Sequence, residues 1–295
     1  MSMCGIAGLF LKNRDLEPEL GALTAGMLSV LTDRGPDSAG FAIYGAGTPG
    51  SMKMTLRAPV GFDFAALGHA LQVGVTLRDD HAVALVPVAR EVDVRAKLAA
   101  SYPDVAIVAA GARMELFKGV GLPELVSKRF GLEGMSGSHA IAHTRMATES
   151  AVTTQGAHPF STGPDQCLVH NGSLSNHNDI RRVLMRERMV FETQNDTEVA
   201  AGFLSWKLRE GAKLDEALTA ALDTLDGFYT FVVGTESGFG VLRDPVACKP
   251  AVMAETDDYV AFGSEYRALV DLPGISKAKL FEPEPAKVYF WERAA

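Results

Sequence analysis

The sequence predicts an α+β fold in which antiparallel sheets carry their helices on the outside. Strand-like runs come in consecutive groups separated by turn signals. Helical patterns come in a block at about 175–189, 196–210 and 214–224. The regular strand–helix alternation of a parallel sheet is missing.

Taken in order, residues 4–11 are a short apolar run and read as a buried strand. Leu16, Leu20, Leu23, Met27 and Leu31 then recur at helical spacing, with Pro18 tolerable in the first turn. Asp33-Arg34-Gly35-Pro36-Asp37 breaks that helix. Strand resumes at 38–44 and runs into the Gly/Pro-rich stretch 45–50. Between 52 and 111 the texture changes. Strand patterns at 53–60, 73–77, 81–88 and 105–110 frame helical ones at 62–71 and 92–101. This βαββαβ order is the ferredoxin-like arrangement. It marks an inserted subdomain that interrupts the connection between strands 38–44 and 113–118, so its ends must lie close together. Its His69 and His81 stand isolated, and its acidic residues are scattered as on a solvated face. Further strands are expected at 138–144, 166–170, 228–234, 239–243, 250–254, 259–263 and 287–291.

Composition limits the function classes. The chain has 295 residues and a net charge of −8, with no cluster of Lys or Arg, which argues against nucleic acid or an anionic membrane as partner. Its longest apolar runs, 82–89 and 105–112, fall far below the ~20 residues of a spanning helix. Cys4, Cys167 and Cys248 are too few for a disulfide framework. The first residues do not form a secretory signal, so a cytoplasmic location is expected and the triplets at Asn171 and Asn195 carry no glycosylation meaning. His139 and His143 are four apart but sit in a strand pattern without a third ligand, so no metal is expected. Gly134-Met135-Ser136-Gly137-Ser138 departs from the serine-hydrolase elbow at its last position.

Cys4 is the most informative residue. A free cysteine is usually a small buried hydrophobe. With the residues before it removed, however, Cys4 would carry a free α-amine, which titrates near ~8 and can take the proton of its own thiol. Met3-Cys4 looks like a start followed by methionine removal, although Met1-Ser2 precede it.

From here an ordered series of motifs runs along the chain: Cys4-Gly5-Ile6, Arg34-Gly35-Pro36-Asp37, Lys118-Gly119-Val120-Gly121, His143-Thr144-Arg145-Met146-Ala147-Thr148, His158-Pro159-Phe160, His170-Asn171-Gly172, Asp196-Thr197-Glu198, Asp226-Gly227-Phe228, Arg243-Asp244-Pro245 with Lys249-Pro250, and Ser264-Glu265. Together they resemble the class II, N-terminal-nucleophile (Ntn) glutamine amidotransferases. The resemblance implies a four-layer αββα sandwich of antiparallel sheets over 4–51 and 112–295, with 52–111 inserted.

The resemblance also implies the chemistry. Cys4 would attack the side-chain amide of L-glutamine and release ammonia, leaving a glutamyl thioester for water. Asn171 and Gly172 would supply the oxyanion donors. Arg145 matches the clamp on the α-carboxylate, a task suited to a guanidinium fork. Asp196 matches the partner of the α-ammonium. Arg34 would organise the pocket, and Thr148 and His158 would line it. Cys167 and Cys248 fall outside the pattern and are expected to be packing residues. No cofactor is expected in this chain. The stand-alone shape resembles the amidotransferase subunit of glutamate-synthase-like or N-methylglutamate-synthase-like complexes, which implies a separate synthase subunit in a hetero-oligomer, with a flavin on that partner. A non-catalytic glutamine-binding scaffold and a free-standing glutaminase are the competing readings.

Overall fold

The structure, a computed structural model, describes residues 4–147 and 151–293. In chain order the elements are β1 (Gly5–Leu11), α1 (Leu20–Ser29), β2 (Ser38–Tyr44), β3 (Ser51–Arg57), α2 (Phe64–Leu71), β4 (Gly74–Arg78), β5 (His81–Pro87), α3 (Glu91–Ser101) and β6 (Ala106–Gly111). The chain continues through β7 (Met114–Val120), α4 (Pro123–Phe130), β8 (His139–Arg145), β9 (Phe160–Gly163), β10 (Gln166–Leu174), α5 (His177–Arg186), α6 (Asp196–Arg209) and α7 (Leu214–Thr224). It ends with β11 (Gly227–Gly234), β12 (Gly238–Arg243), β13 (Val252–Glu255), β14 (Tyr259–Gly263), β15 (Lys279–Phe281) and β16 (Val288–Glu292).

These strands form three antiparallel sheets, ordered β15-β13-β14-β1-β8-β2-β7, β16-β12-β11-β10-β9 and β4-β5-β3-β6. The layers follow from which side chains share a core. Ile6, Phe10, Ile141, Val169, Val232 and Phe262 pack between the first two sheets. Leu9, Phe41 and Ala142 face the other way, against Leu28 of α1 and Val126 and Phe130 of α4. The far side of the second sheet packs Phe231 and Val233 on Leu184, Phe203 and Leu218 of α5, α6 and α7. Both faces of β1 and β8 are therefore buried, which explains why they read as continuous apolar runs without alternation.

The third sheet carries its own core of Met54, Leu56, Leu67, Ala84, Val94 and Leu98. Its strands, numbered within the segment, lie in the order 2-3-1-4, and α2 and α3 pack on it. β2 and β7, which flank the segment in sequence, are paired from Ser38↔Val120 to Tyr44↔Met114. The lobe begins and ends on adjacent strands, Lys53 lying opposite Gly111. It packs where β7 and β9 end the two larger sheets on the same side.

The structure corrects four expectations. α4 was not foreseen, although Pro123 at its first turn and Gly131 (φ +71°) at its end are ordinary start and stop signals. The first helix is split into a 3₁₀ segment, Arg14–Glu19, and α1, because Pro18 has no N–H to continue the α-helical pattern. His81 is not isolated: it is fully buried, with Nδ1 2.7 Å from Asp80 Oδ1, and its ring lies edge-on to Phe130. Asp80 in turn pairs with Arg129 of α4 at 2.9 Å, which latches the lobe to the larger sheets. Cys167 is buried beside the Tyr44 hydroxyl as a packing residue, but Cys248 is exposed in a loop.

Candidate active site

Cys4 sits immediately before β1, in the middle of the seven-stranded sheet. The pairing of Gly5 with Thr144 sets it beside the end of β8. Its backbone is fixed on every side. The Cys4 carbonyl accepts from Arg34 Nε at 3.1 Å and from Asn171 Nδ2 at 3.0 Å. The next amides donate to Thr144 Oγ1 (3.2 Å) and Ser264 Oγ (2.9 Å). The half-buried thiol lies 3.9 Å from the Met146 carbonyl and lines a cavity of about 640 Å³. Arg34 is held by Glu265 at 2.5 Å, and Glu265 also pairs with Arg267.

Gly35 explains why a turn rather than a bulkier loop meets β8. A Cβ there would stand 2.6 Å from the backbone of Arg145. Close approach lets Asp37 accept from Ala147 N at 2.8 Å and donate its own N–H to the Arg145 carbonyl at 3.1 Å. The strand end is thus clamped where Arg145, mostly buried, reaches the cavity.

On the opposite wall, β10 delivers His170, Asn171 and Gly172. Gly172 has φ +147°, and a Cβ there would meet the Phe228 carbonyl at 1.9 Å and His170 Nε2 at 2.8 Å, so only glycine fits. Asn171 is oriented from behind by His143, whose Nε2 lies 3.2 Å from both Asn171 Oδ1 and the His170 carbonyl. Both neighbours are acceptors, so the His143 proton is on Nε2. The Asn171 amide points both its protons forward, one to the Cys4 carbonyl and one to Ser264 Oγ at 3.1 Å.

Asp196 opens α6, after Asn195 caps the helix by accepting from Thr197 N at 2.8 Å. Burial works to raise its pKa. The neighbouring His170 and the Leu174 N–H at 2.9 Å outweigh that and hold the carboxyl at about 2. His143 stacks on His158 with centroids 4.1 Å apart. Burial pushes His143 down to about 3 and His158 well below its ordinary value, so both are neutral imidazoles at physiological pH.

The structure therefore brings Cys4, Gly172, Arg145, His158 and Asp196 to one cavity. Asn171 and Arg34 stand behind Cys4 as ligands of its carbonyl. Thr148 lies outside the described residues. His143, His170 and Thr197 stood in the sequence motifs but were given no role, because their roles depend on contacts between elements far apart in sequence. Two more motif residues were likewise given no role. Lys118 Nζ donates to the carbonyls of Gln155 (3.1 Å), Ala157 (2.9 Å) and Pro159 (3.3 Å), and its burial pushes it down to about 8. Glu198 accepts from the N–H groups of Glu192 (2.7 Å) and Thr193 (2.8 Å). Each pins one wall of the cavity from behind. Among the described residues there is no cluster of His, Cys, Asp and Glu able to hold a metal. No helix among them is long and apolar enough to cross a membrane.

Known proteins resemble this chain in sequence and in fold. The glutamine amidotransferase domain family matches residues 143–271. Glutamine amidotransferase-like protein GlxB of Rhizobium meliloti is 64% identical over 296 residues, covering 98% of each chain. A glutamine–fructose-6-phosphate aminotransferase (isomerizing) of Vibrio vulnificus is 34% identical over 161 residues, 55% of this chain and 26% of that enzyme. Among solved structures, the glutamine phosphoribosylpyrophosphate amidotransferase of B. subtilis superposes with a TM-score of 0.63 at 21% identity. It covers 98% of this chain, which spans only 47% of that one, and the likeness shows a shared fold. The chain belongs to the glutamine amidotransferase family.

Proposed function

We propose that the chain hydrolyses L-glutamine to glutamate and ammonia and passes the ammonia to a separate synthase subunit. One observation carries the reading: a thiol, a guanidinium and a carboxylate, from Cys4, Arg145 and Asp196, line the same cavity. Opposite charges around one cavity suit the α-carboxylate and α-ammonium that a free amino acid carries on its Cα, which leaves the side-chain amide for the thiol.

In this mechanism the residues before Cys4 are removed and its α-amine takes the thiol proton. The thiolate attacks the side-chain carbonyl carbon, and the charge moves onto oxygen. The Gly172 N–H and one proton of Asn171 Nδ2 receive that oxyanion. Asn171 has to give up one of its two present bonds to do so. Collapse breaks the C–N bond, the ammonium of Cys4 returns its proton to the leaving nitrogen, and ammonia departs. A water deprotonated by the same amine then splits the thioester, giving glutamate and restoring the thiol. Every proton is handled by Cys4, its amine and water, so the chemistry needs no cofactor in this chain.

We read 4–51 and 112–295 as an αββα Ntn sandwich and 52–111 as an inserted ferredoxin-like subdomain. The three packed cores and the antiparallel order of the lobe's sheet support this. The acceptor we assign to a cytoplasmic glutamate-synthase-like or N-methylglutamate-synthase-like complex with a flavin on the partner. In support, GlxB and this chain match across 98% of each other's length. The lobe, with Val60, Leu77 and Val92 exposed, is the surface we assign to that contact.

The test uses full-length protein and protein starting at Cys4. An electrophilic glutamine analogue is expected to label Cys4, and neither Cys167 nor Cys248, in the shortened chain. Cys4→Ala is expected to stay folded and release no ammonia. Ammonia release by the alanine variant would remove the mechanism.

A further inference from the structure

Behind Asp196 lies a polar cluster that the mechanism above leaves idle. The Thr197 hydroxyl, buried at the start of α6, has three polar neighbours: His158 Nε2 at 2.7 Å, His170 Nδ1 at 3.0 Å and Asp196 Oδ1 at 3.4 Å. It has one proton to give. Asp196, held at about 2, is a carboxylate and can only accept. The arrangement that satisfies all three lets Thr197 donate to Asp196 and accept an N–H from each histidine. The alternative, with the lone pair of His170 Nδ1 facing Asp196 Oδ1 3.7 Å away, sets two acceptors against each other.

This arrangement has a cost. With its proton on Nδ1, His170 leaves Nε2 buried and without a partner. The Nδ1 atoms of His143 and His158 are in the same position. Buried polar atoms in folded proteins are nearly always paired, and a residue kept only for packing would be an apolar one. Because Nε2 of His170 is buried with no acceptor for a second proton, the cluster holds a carboxylate by uncharged donors. A lysine or arginine in the same place would fix Asp196 equally well but cancel its charge. Here the Leu174 N–H, the Thr197 hydroxyl and, through it, two imidazoles orient the carboxylate and leave its negative charge to face the cavity.

We propose that His170, acting through Thr197, is a positioning residue that sets selectivity for a free α-amino group by holding Asp196 in place without neutralising it. The inference rests on the glutaminase reading. A cluster that merely supports the fold would affect every substrate alike. This one acts only on substrates carrying the α-ammonium.

The experiment compares ammonia release from L-glutamine and from glutaramate, which is glutamine without its α-amino group, using the chain that begins at Cys4. In Thr197→Val and His170→Phe, KM for glutamine is expected to rise about tenfold with kcat within about twofold, the effect of losing one hydrogen-bonded arrangement. The kcat/KM for glutaramate should stay unchanged, so selectivity falls by the same factor. Thr197→Ser, which keeps the hydroxyl, should restore it. An equal fall for both substrates, or no change for either, overturns the proposal. A second measurement needs no variant of the cluster: nitrogen-15 NMR of the histidines in folded Cys4→Ala protein. A proton on Nδ1 of His170 and none on Nε2 is expected, and a proton on Nε2, alone or beside one on Nδ1, overturns the proposal. If the wild-type chain releases no ammonia from glutamine, the glutaminase reading fails instead, and the tautomer still decides the arrangement.

Discussion

Residues 51–111 and the sheets around Cys4 bury polar groups in different ways. In the lobe the only buried polar side chains among the described residues are Thr55 and His81, and both lie on the seam. Thr55 Oγ1 accepts from the Leu116 N–H at 3.3 Å, and His81 packs on Phe117 and Phe130. The rest of its interior is apolar. Around Cys4, by contrast, His143, Arg145, His158, His170, Asn171, Thr197 and Ser264 are all buried together. The difference teaches where to look for chemistry. One region uses its few buried polar groups to attach itself, and the other concentrates them around a cavity.

The comparison can be broken most sharply at Gly172. Gly172→Ala forces a Cβ onto a backbone carbonyl at a left-handed φ, and about 3 kcal/mol or more of stability should go, together with all glutamine hydrolysis. Urea unfolding and an ammonia assay read both. Leu98→Ala, in the lobe, should cost about 2–5 kcal/mol by leaving a cavity, yet KM and kcat for glutamine should not move while the protein is folded. A parallel fall in activity would show that the two regions are one cooperative unit. Arg145→Lys keeps the charge and loses the fork. Its kcat/KM should fall about a hundredfold, roughly 2.7 kcal/mol, with unfolding unchanged.

Acid should separate the regions more gently. Burial pushes His139 and His143, on β8, down to about 3, whereas in the unfolded chain each binds a proton near 6.5. Below that value the unfolded state holds more protons, so stability is complete above about 6.5 and declines as pH falls toward 3. Each group contributes a slope of at most ~1.4 kcal/mol per pH unit. Urea unfolding of His139→Gln between pH 6 and 5 should show a slope reduced by close to one proton. The smallest effect is expected at the seam. Thr55→Val removes the acceptor for the Leu116 N–H and should cost about 1 kcal/mol, with glutamine kinetics unaltered.

Much of this fold was legible in the sequence, because local pattern decides it. Strands 38–44 and 259–263 appear at their expected bounds, where turn residues stand on either side. α4 was overlooked because it follows directly on the Lys118–Gly121 motif, and its eight residues give little periodicity. β15 has three residues and was invisible for the same reason. At the site, Cys4 stood out by residue type and position, while Arg145 and Asp196 were named through the family resemblance. Lys118, His170 and Thr197 could not be given roles, since those come from partners 37 to 41 positions away for Lys118 and 27 to 39 for the other two. His81 misled because its value lies in a neighbour from another element, and Cys248 because residue type alone does not bury a thiol.

The placement of the lobe also bears on solubility. β7 and β9 are the last strands of their sheets, and an open edge strand is a template on which another chain can pair. On β7 the amides of Met114 and Leu116 are already occupied by side-chain oxygens of Asp165 and Thr55, at 2.9 and 3.3 Å. Cutting the lobe back to a short linker would take Thr55 away and uncover an apolar strand, Met-Glu-Leu-Phe-Lys-Gly-Val. A shortened chain of that kind is expected to self-associate through β7. The lobe is in this sense a guard against aggregation as well as an attachment, and its loss would show first in light scattering, before any assay of ammonia transfer.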